Sequence, residues 1–176
     1  MLRHLQSSPL EEKEIPMKLS TKGRYAVTAM MDLAIHEKFG PVTLADISVC
    51  QGISLSYLEQ IFARLRRDGL INGTRGPRGG YRLARPSDQI TVADIITAVS
   101  EKIDTTRCEG KENCQNGERC LTHELWSDLS AQIQDFLASI TLAQFAQRSA
   151  VQEVVQRQDT LHFRRNNSRS KQAATG

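Results

Sequence analysis

Residues 43–85 read TLADISVCQGISLSYLEQIFARLRRDGLINGTRGPRGGYRLAR, and this stretch decides the fold. Thr43-Leu-Ala-Asp46 is a capping box that opens a short helix, with Leu44 and Ile47 facing inward and Gly52 ending it. Ser54 stands where it can cap the next helix, Leu55 to Asp68. Leu58, Ile61, Phe62 and Leu65 there follow the i, i+3, i+4, i+7 spacing of a core-facing stripe. Gly69 falls where a helix places its left-handed C′ residue. Leu70-Ile71 and Tyr81-Arg82-Leu83 read as two short strands across a Gly- and Pro-rich turn, a β-hairpin.

The segments on either side complete the pattern. Residues 20–39 put Ala26, Ala29, Met30, Leu33 and Ala34 on one helical face, and Gly40-Pro41 stops that helix. After the hairpin, Thr91-Val-Ala-Asp94 is another capping box, opening a helix with Val92, Ile95, Ile96 and Val99 inward. Three helices followed by a β-hairpin make a winged helix-turn-helix, so the fold expected is mainly α with a hairpin wing.

The outward face of the third helix then gains a meaning. Ser56, Tyr57, Glu59 and Gln60 lie near its N-terminus, where a recognition helix meets base edges, and Arg64 and Arg67 follow. Gln60 suits adenine, and Glu59 suits the cytosine amino group while repelling phosphates, which makes it a specificity element. A surface Glu paired with a nearby Arg is the plainer alternative. In the wing, Arg75, Gly76, Pro77 and Arg78 form the tip, with Arg75 placed to enter a minor groove. Ser20, Lys22 and Arg24, at the start of the first helix, add candidate phosphate contacts. The net charge of the 176-residue chain is only +3, yet residues 64–85 hold seven Arg against Asp68 alone. On this fold that stripe points to double-stranded DNA.

Residues 104–120 lack hydrophobic periodicity and carry Cys108, Cys114 and Cys120 at two equal five-residue gaps, with His123 two residues beyond the last. Gly110, Asn113, Asn116 and Gly117 let the loop wrap a small object. Zinc sites favour ligand pairs separated by two to four residues. The wider gaps favour an iron–sulfur cluster, with zinc left open and a thiol or disulfide switch third. A histidine ligand would make a cluster less negative and more labile, as suits a sensor. Cys50, in the second helix, reads as a bystander.

From Leu121 a long helix follows. Trp126, Leu129, Ile133, Phe136 and Ile140 are spaced 3, 4, 3, 4, an a/d seam that favours a two-fold dimer over packing on its own domain. Thr141 restarts a short last helix with Leu142 and Phe145 inward. The expected organisation is a flexible arm over 1–16, the winged domain over 17–100, a cysteine-rich loop over 101–123, a dimerisation helix and short helix over 121–146, and a disordered basic tail over 147–176.

Composition narrows the classes further. Aromatics make up 5%, too few for a carbohydrate- or base-stacking surface. No run of about 18 apolar residues exists to span a membrane, and the first 16 residues, with three Glu and no apolar core, are no signal peptide. A reducing, cytoplasmic setting follows for the four cysteines. His123-Glu124 is not an H-E-x-x-H motif, and neither a nucleophile–base grouping nor a phosphate-cradling Gly loop is present, so an enzyme is not expected.

MKLSTKGRYAVTAMMDLA, LADISVCQGISLSYLEQIFARLRRDGLI, RGPRGGYRLA and RCEGKENCQNGERCLTHELWSDLS, within a match running from Met17 to about Asp159, closely resemble the IscR family of iron–sulfur cluster assembly regulators. The resemblance implies a homodimer with one 2Fe–2S cluster per subunit, held by Cys108, Cys114, Cys120 and His123, and loaded from a cluster-assembly scaffold. It implies promoter DNA as target, with Glu59 as a selectivity residue and Arg75 as a wing contact. A loaded dimer would repress assembly genes and the apo form would bind other promoters. Relatives on the same fold sense nitric oxide through a cluster, and a zinc-stabilised module without sensing is a further alternative. Departures are Arg78, where the family usually has glycine, the acidic arm before Met17, and the basic tail after Asp159.

Overall fold

The computed structural model describes residues 20–76, 79–99, 103–106 and 108–159. The expected arm over 1–16, Pro77 and Arg78 of the wing, and the tail from residue 160 lie outside the described residues.

Helix α1, Thr21–His36, starts where the Ser20 hydroxyl accepts the amides of Lys22 (3.2 Å) and Gly23 (3.5 Å), satisfying two of the donors a helix start leaves open. A 3₁₀ turn, Glu37–Phe39, leads out of it. Helix α2, Leu44–Gln51, starts at Thr43, whose Oγ1 accepts the Asp46 amide at 3.1 Å. Helix α3, Leu55–Arg67, starts at Ser54, which occupies the cap position but makes no side-chain capping bond. Its end is a Schellman motif: Leu70 N–H bonds the Leu65 carbonyl (3.0 Å) and Gly69 N–H the Arg66 carbonyl (3.1 Å), with Gly69 at φ +72°.

Strands β1, Ile71–Thr74, and β2, Gly80–Leu83, pair antiparallel, with Ile71 opposite Leu83 and Thr74 opposite Gly80. Val42 bridges to Tyr81 from the other side, through Val42 N–H to Tyr81 O (3.0 Å) and its reciprocal (2.7 Å). A Cβ on Gly80 would lie 2.6 Å from the Val42 carbonyl oxygen, so only glycine permits this approach. Helix α4, Val92–Ala98, opens with the complete Thr91/Asp94 capping box. Ala26, Ala29, Met30 and Leu33 of α1, Ile47 of α2, the α3 stripe and Ile95 and Val99 form one core, with Phe62 set edge-on to Tyr81 at 4.9 Å. The stripe expected of α3 is the buried one, each of its four residues being at most 1% exposed.

Helix α5, His123–Ala138, leaves this core: His123 is its only buried residue. The chain then returns. Val92 N–H bonds the Ile140 carbonyl and Leu142 N–H the Ile90 carbonyl, both at 2.9 Å. Helix α6, Leu142–Ala146, with its own Thr141/Gln144 capping box, delivers Leu142 fully buried into the core beside α1. The core is thus not closed by residue 100; it takes its last side chains from beyond the cysteine loop. Ile140, expected as the last seam residue, is off the helix. Ser139 ends α5, its hydroxyl bonding the Phe136 carbonyl (2.7 Å), and Ile140 is held instead by its backbone bond to Val92.

Residues 149–159 form a further helix, α7, where the tail was expected to be disordered from 147. Two features hold it. Val151 packs on the core, and its last turn carries polar groups to α1 and α2: Asp159 bonds His36 Nε2 (3.1 Å), and Gln158 and Gln51 exchange amide hydrogen bonds (3.3 Å each). Among the described residues, no helix is long and apolar enough to cross a membrane.

Candidate cluster-binding loop and DNA-reading face

The loop is built by turn chemistry. Gln115 and Glu118 exchange backbone hydrogen bonds (3.0 and 2.8 Å) around Asn116-Gly117, both at positive φ, the two-residue turn that Asn-Gly favours. This reversal brings Cys120 back to Cys114, and Cys120 N–H bonds Cys114 Sγ at 3.0 Å. Cys120 O then accepts the amide of His123, the first residue of α5. His123 is buried, and its Nδ1 lies 3.5 Å from Cys108 Sγ and 3.6 Å from Cys114 Sγ. The ligand atoms of Cys108, Cys114 and His123 all fall within 4.8 Å of one another. Cys120 Sγ is outside that group and sits 3.8 Å from the Thr122 hydroxyl. All four cysteines are free thiols.

The sulfurs differ electrostatically. Burial pushes the Cys108 thiol up, but the neighbouring Thr106 hydroxyl and the backbone at Glu112 and Gly110 outweigh it and leave it at about 7. Cys120 is lowered by its hydrogen bond with the Cys114 side chain and by the Thr122 backbone. The Cys120 N–H favours the Cys114 thiolate, yet sulfur–sulfur bonding with Cys120, burial and the Cys108 charge together raise it. Two of the sulfurs are thus lowered and one raised, and a bound cation would displace the protons of such a donor set. Arg119 covers the outside, paired with Glu112 and, at 3.9 Å, with Glu124 of α5.

Several residues of this site are not visible in the cysteine spacing. Asp104 accepts the N–H and the hydroxyl of Thr106, two residues before Cys108, and Thr105 bonds Ser130 and the Trp126 carbonyl, tying the loop's entry to α5. Asp followed two residues later by Thr is a local turn signal, and it was available in the sequence. Trp126 Nε1 donates to Thr122 Oγ1 at 3.2 Å, so this seam residue also belongs to the loop's base.

The other face is presented by α3 and the wing. Ser56, Glu59, Gln60 and Arg67 are exposed along α3, and Tyr57 is half-buried with its ring set edge-on against Tyr25, centroids 5.8 Å apart. Tyr25, one turn into α1, carries no sequence signal beyond its aromatic ring. Among the described residues Glu59 forms no ion pair. Arg75 and Gly76 are exposed at the wing tip. Ser20 is engaged as the cap of α1, with exposed Arg24 and half-buried Lys22 beside it. Two arginines of the basic run are committed elsewhere: Arg82 to the Glu37 carbonyl (3.2 Å) and Arg85 to Asp94 (3.2 Å).

Comparison with known proteins places the chain in a family. The profile of the Rrf2 family, described as an iron-dependent transcriptional regulator, matches residues 19–148. The HTH-type transcriptional regulator IscR of Xenorhabdus nematophila is 57% identical over 153 residues, covering 87% of this chain and 93% of that protein. That of Sodalis glossinidius is 60% identical over 143 residues, 81% and 87% of the two chains. Among solved structures, T. potens IscR is similar at TM-score 0.61 and 40% identity, over 75% of this chain and 92% of that one. CymR, the global cysteine regulator of B. subtilis, is similar at 0.64 and 36%, over 73% and 95%. With its winged core and its Cys/His group, the chain belongs to the Rrf2 family of iron-dependent transcriptional regulators, and it is a regulator of transcription rather than an enzyme.

Proposed function

We propose that this protein senses iron–sulfur cluster supply through a 2Fe–2S cluster in each subunit of a homodimer, and represses cluster-assembly genes when loaded. The observation that carries this is the convergence of Cys108, Cys114 and His123 within 4.8 Å at the first residue of α5, in a chain that also presents a wing and a recognition helix. Cys120 completes the ligand set from the adjoining turn.

The donor chemistry fits the group. Thiolates hold iron, imidazole replaces one of them at the cost of lability, and the Cys120 N–H already aimed at Cys114 Sγ is the kind of contact that tunes a cluster. When bound, the cluster supplies an oxidation- and supply-sensitive occupant. The protein's own residues supply the rest. His123 links the loop to the axis of α5, so drawing the four ligands together fixes that helix start. The apolar side chains left uncovered along α5, notably Leu125 and Phe136, each 61% exposed, support a dimer through this helix. On double-stranded promoter DNA, Arg67, Arg75 and neighbouring basic groups neutralise phosphate or enter the minor groove, Gln60 reads base edges, and Glu59 penalises unsuitable sites. Coupling runs from the loop through α5 to the winged core, which α6 re-enters. The cell's cluster-assembly scaffold is the donor, in the cytoplasm.

Anaerobic purification followed by a visible spectrum and iron and sulfide analysis tests the cluster. A brown protein with equal iron and sulfide is expected, lost in Cys108→Ala without loss of the dimer; a colourless wild type after reconstitution overturns the proposal. A compact three-ligand group also suits a single ion, so zinc without sulfide would mark a structural module. Footprinting of loaded and apo forms should show distinct site sets, and DNA release on exposure to nitric oxide alone would point to the nitric-oxide sensor.

A further inference from the structure

We propose that Asp104 and Thr106 are positioning residues that hold Cys108 in its ligating place, an inference that rests on the cluster site proposed above. Thr106 is polar yet only 7% exposed, and every polar group it has is used locally. Its N–H (2.7 Å) and its hydroxyl (2.6 Å) both donate to Asp104 Oδ1. The same hydroxyl oxygen accepts the Gly110 N–H at 2.8 Å, and the Thr106 carbonyl accepts the Glu109 N–H at 3.3 Å. These bonds tie Asp104 and Thr106 to Glu109 and Gly110, and Cys108 beside them is buried.

The turn is not the chain's easiest path. Glu109 sits at φ +53° and Gly110 at +75°, and a non-glycine residue in the left-handed region is costly unless its surroundings fix it. The bonds to Thr106 are what fix it. The next residue back anchors the turn to its counterpart ligand: Thr105 N–H donates to Ser130 Oγ (2.9 Å) and Thr105 Oγ1 to the Trp126 carbonyl (2.8 Å), both on the helix that begins with His123. Cys108 and His123 are thereby held on one frame before any occupant arrives. A ligand already in place gives up less freedom on binding, so the occupant is held longer.

The test compares Thr106→Val and Asp104→Ala with the conservative Thr106→Ser and Asp104→Asn, which keep the hydroxyl and the accepting Oδ1. Cobalt(II) titration of the apo protein, read by sulfur-to-cobalt absorption, should show affinity about tenfold weaker in the first pair and close to wild type in the second. Decay of the visible band after anaerobic reconstitution should be about tenfold faster in the first pair only. Equal affinities and lifetimes in all variants overturn the inference. So does a conservative pair as impaired as the disruptive one, because that result describes packing and not hydrogen-bonded placement. If Thr106→Val does not fold, Asp104→Ala against Asp104→Asn decides. A wild type that takes cobalt but no cluster defeats the proposed function and leaves the cobalt comparison to decide this inference; one that takes up neither overturns both.

Discussion

His36 shows how much one side chain can organise. It lies between the buried Asp32 (Nδ1 to Oδ1, 3.1 Å) and Asp159 of α7 (Nε2 to Oδ1, 3.1 Å). The Asp32 hydrogen bond, opposed by burial and helped by Asp159, raises it to about 9. A raised pKa means the folded state favours the proton. The stabilisation is complete below the ordinary value of about 6.5, fades above it, and is gone once the pH has passed about 9. The thermal midpoint of the wild type should therefore fall between pH 7 and pH 10, while His36→Gln should start lower at pH 7, by about 1–2 kcal/mol, and change less. Differential scanning calorimetry across that range checks it. Cys50, nearby in α2, is pushed up to about 11 by burial and by Asp32 and Asp159, which keeps it a neutral thiol and supports its reading as a bystander. On the DNA face, Glu59→Ala should let the apo protein protect sites that the wild type rejects, while Arg75→Ala should weaken binding at all sites; footprinting of both variants shows either outcome.

Elements depend on their ends and on close approaches. Gly69→Ala places a Cβ at φ +72° in the Schellman motif that turns α3 into β1, and should cost about 1–2 kcal/mol in urea unfolding. That turn sets the wing relative to the recognition helix, so DNA affinity should fall with it. The wing root is fixed a second time by Glu37, whose Oε2 accepts the Leu83 N–H at 2.9 Å. Helix α5 shows the opposite situation: the first four positions of its heptad seam lie on the helix, but Ile140 is drawn away by backbone pairing with Val92. Periodicity cannot register a competing hydrogen bond from a segment some fifty residues earlier.

At the scale of the molecule, α5 is a bracket between the cysteine loop at its start and the winged core at its end. The cysteine loop precedes it, α6 follows it into the core, and its apolar side chains stay uncovered between. Phe136→Asp should shift sedimentation from dimer toward monomer by raising the dissociation constant at least tenfold, and an unchanged sedimentation coefficient would place the interface elsewhere. Ending the chain at residue 148 removes α7 with its contacts to His36 and Gln51, and should lower the thermal midpoint without altering the visible spectrum of reconstituted protein.

The amino-acid sequence by itself determined the winged core and the identity of the four candidate ligands. Those features are local: the α3 stripe repeats at the helical period, capping hydroxyls stand at Ser20, Thr43, Thr91 and Thr141, and glycine marks the turns. The tertiary structure alone decided that Thr105 ties the loop's entry to α5, that Arg82 and Arg85 are occupied, that α6 belongs to the first core, and that residues 149–159 are helical. Each of these depends on a partner distant in sequence or on a turn whose hydrogen bonds have no period. Residues 149–159 are helical where His36 and Gln51 offer them charge and amide partners across more than 100 residues of chain.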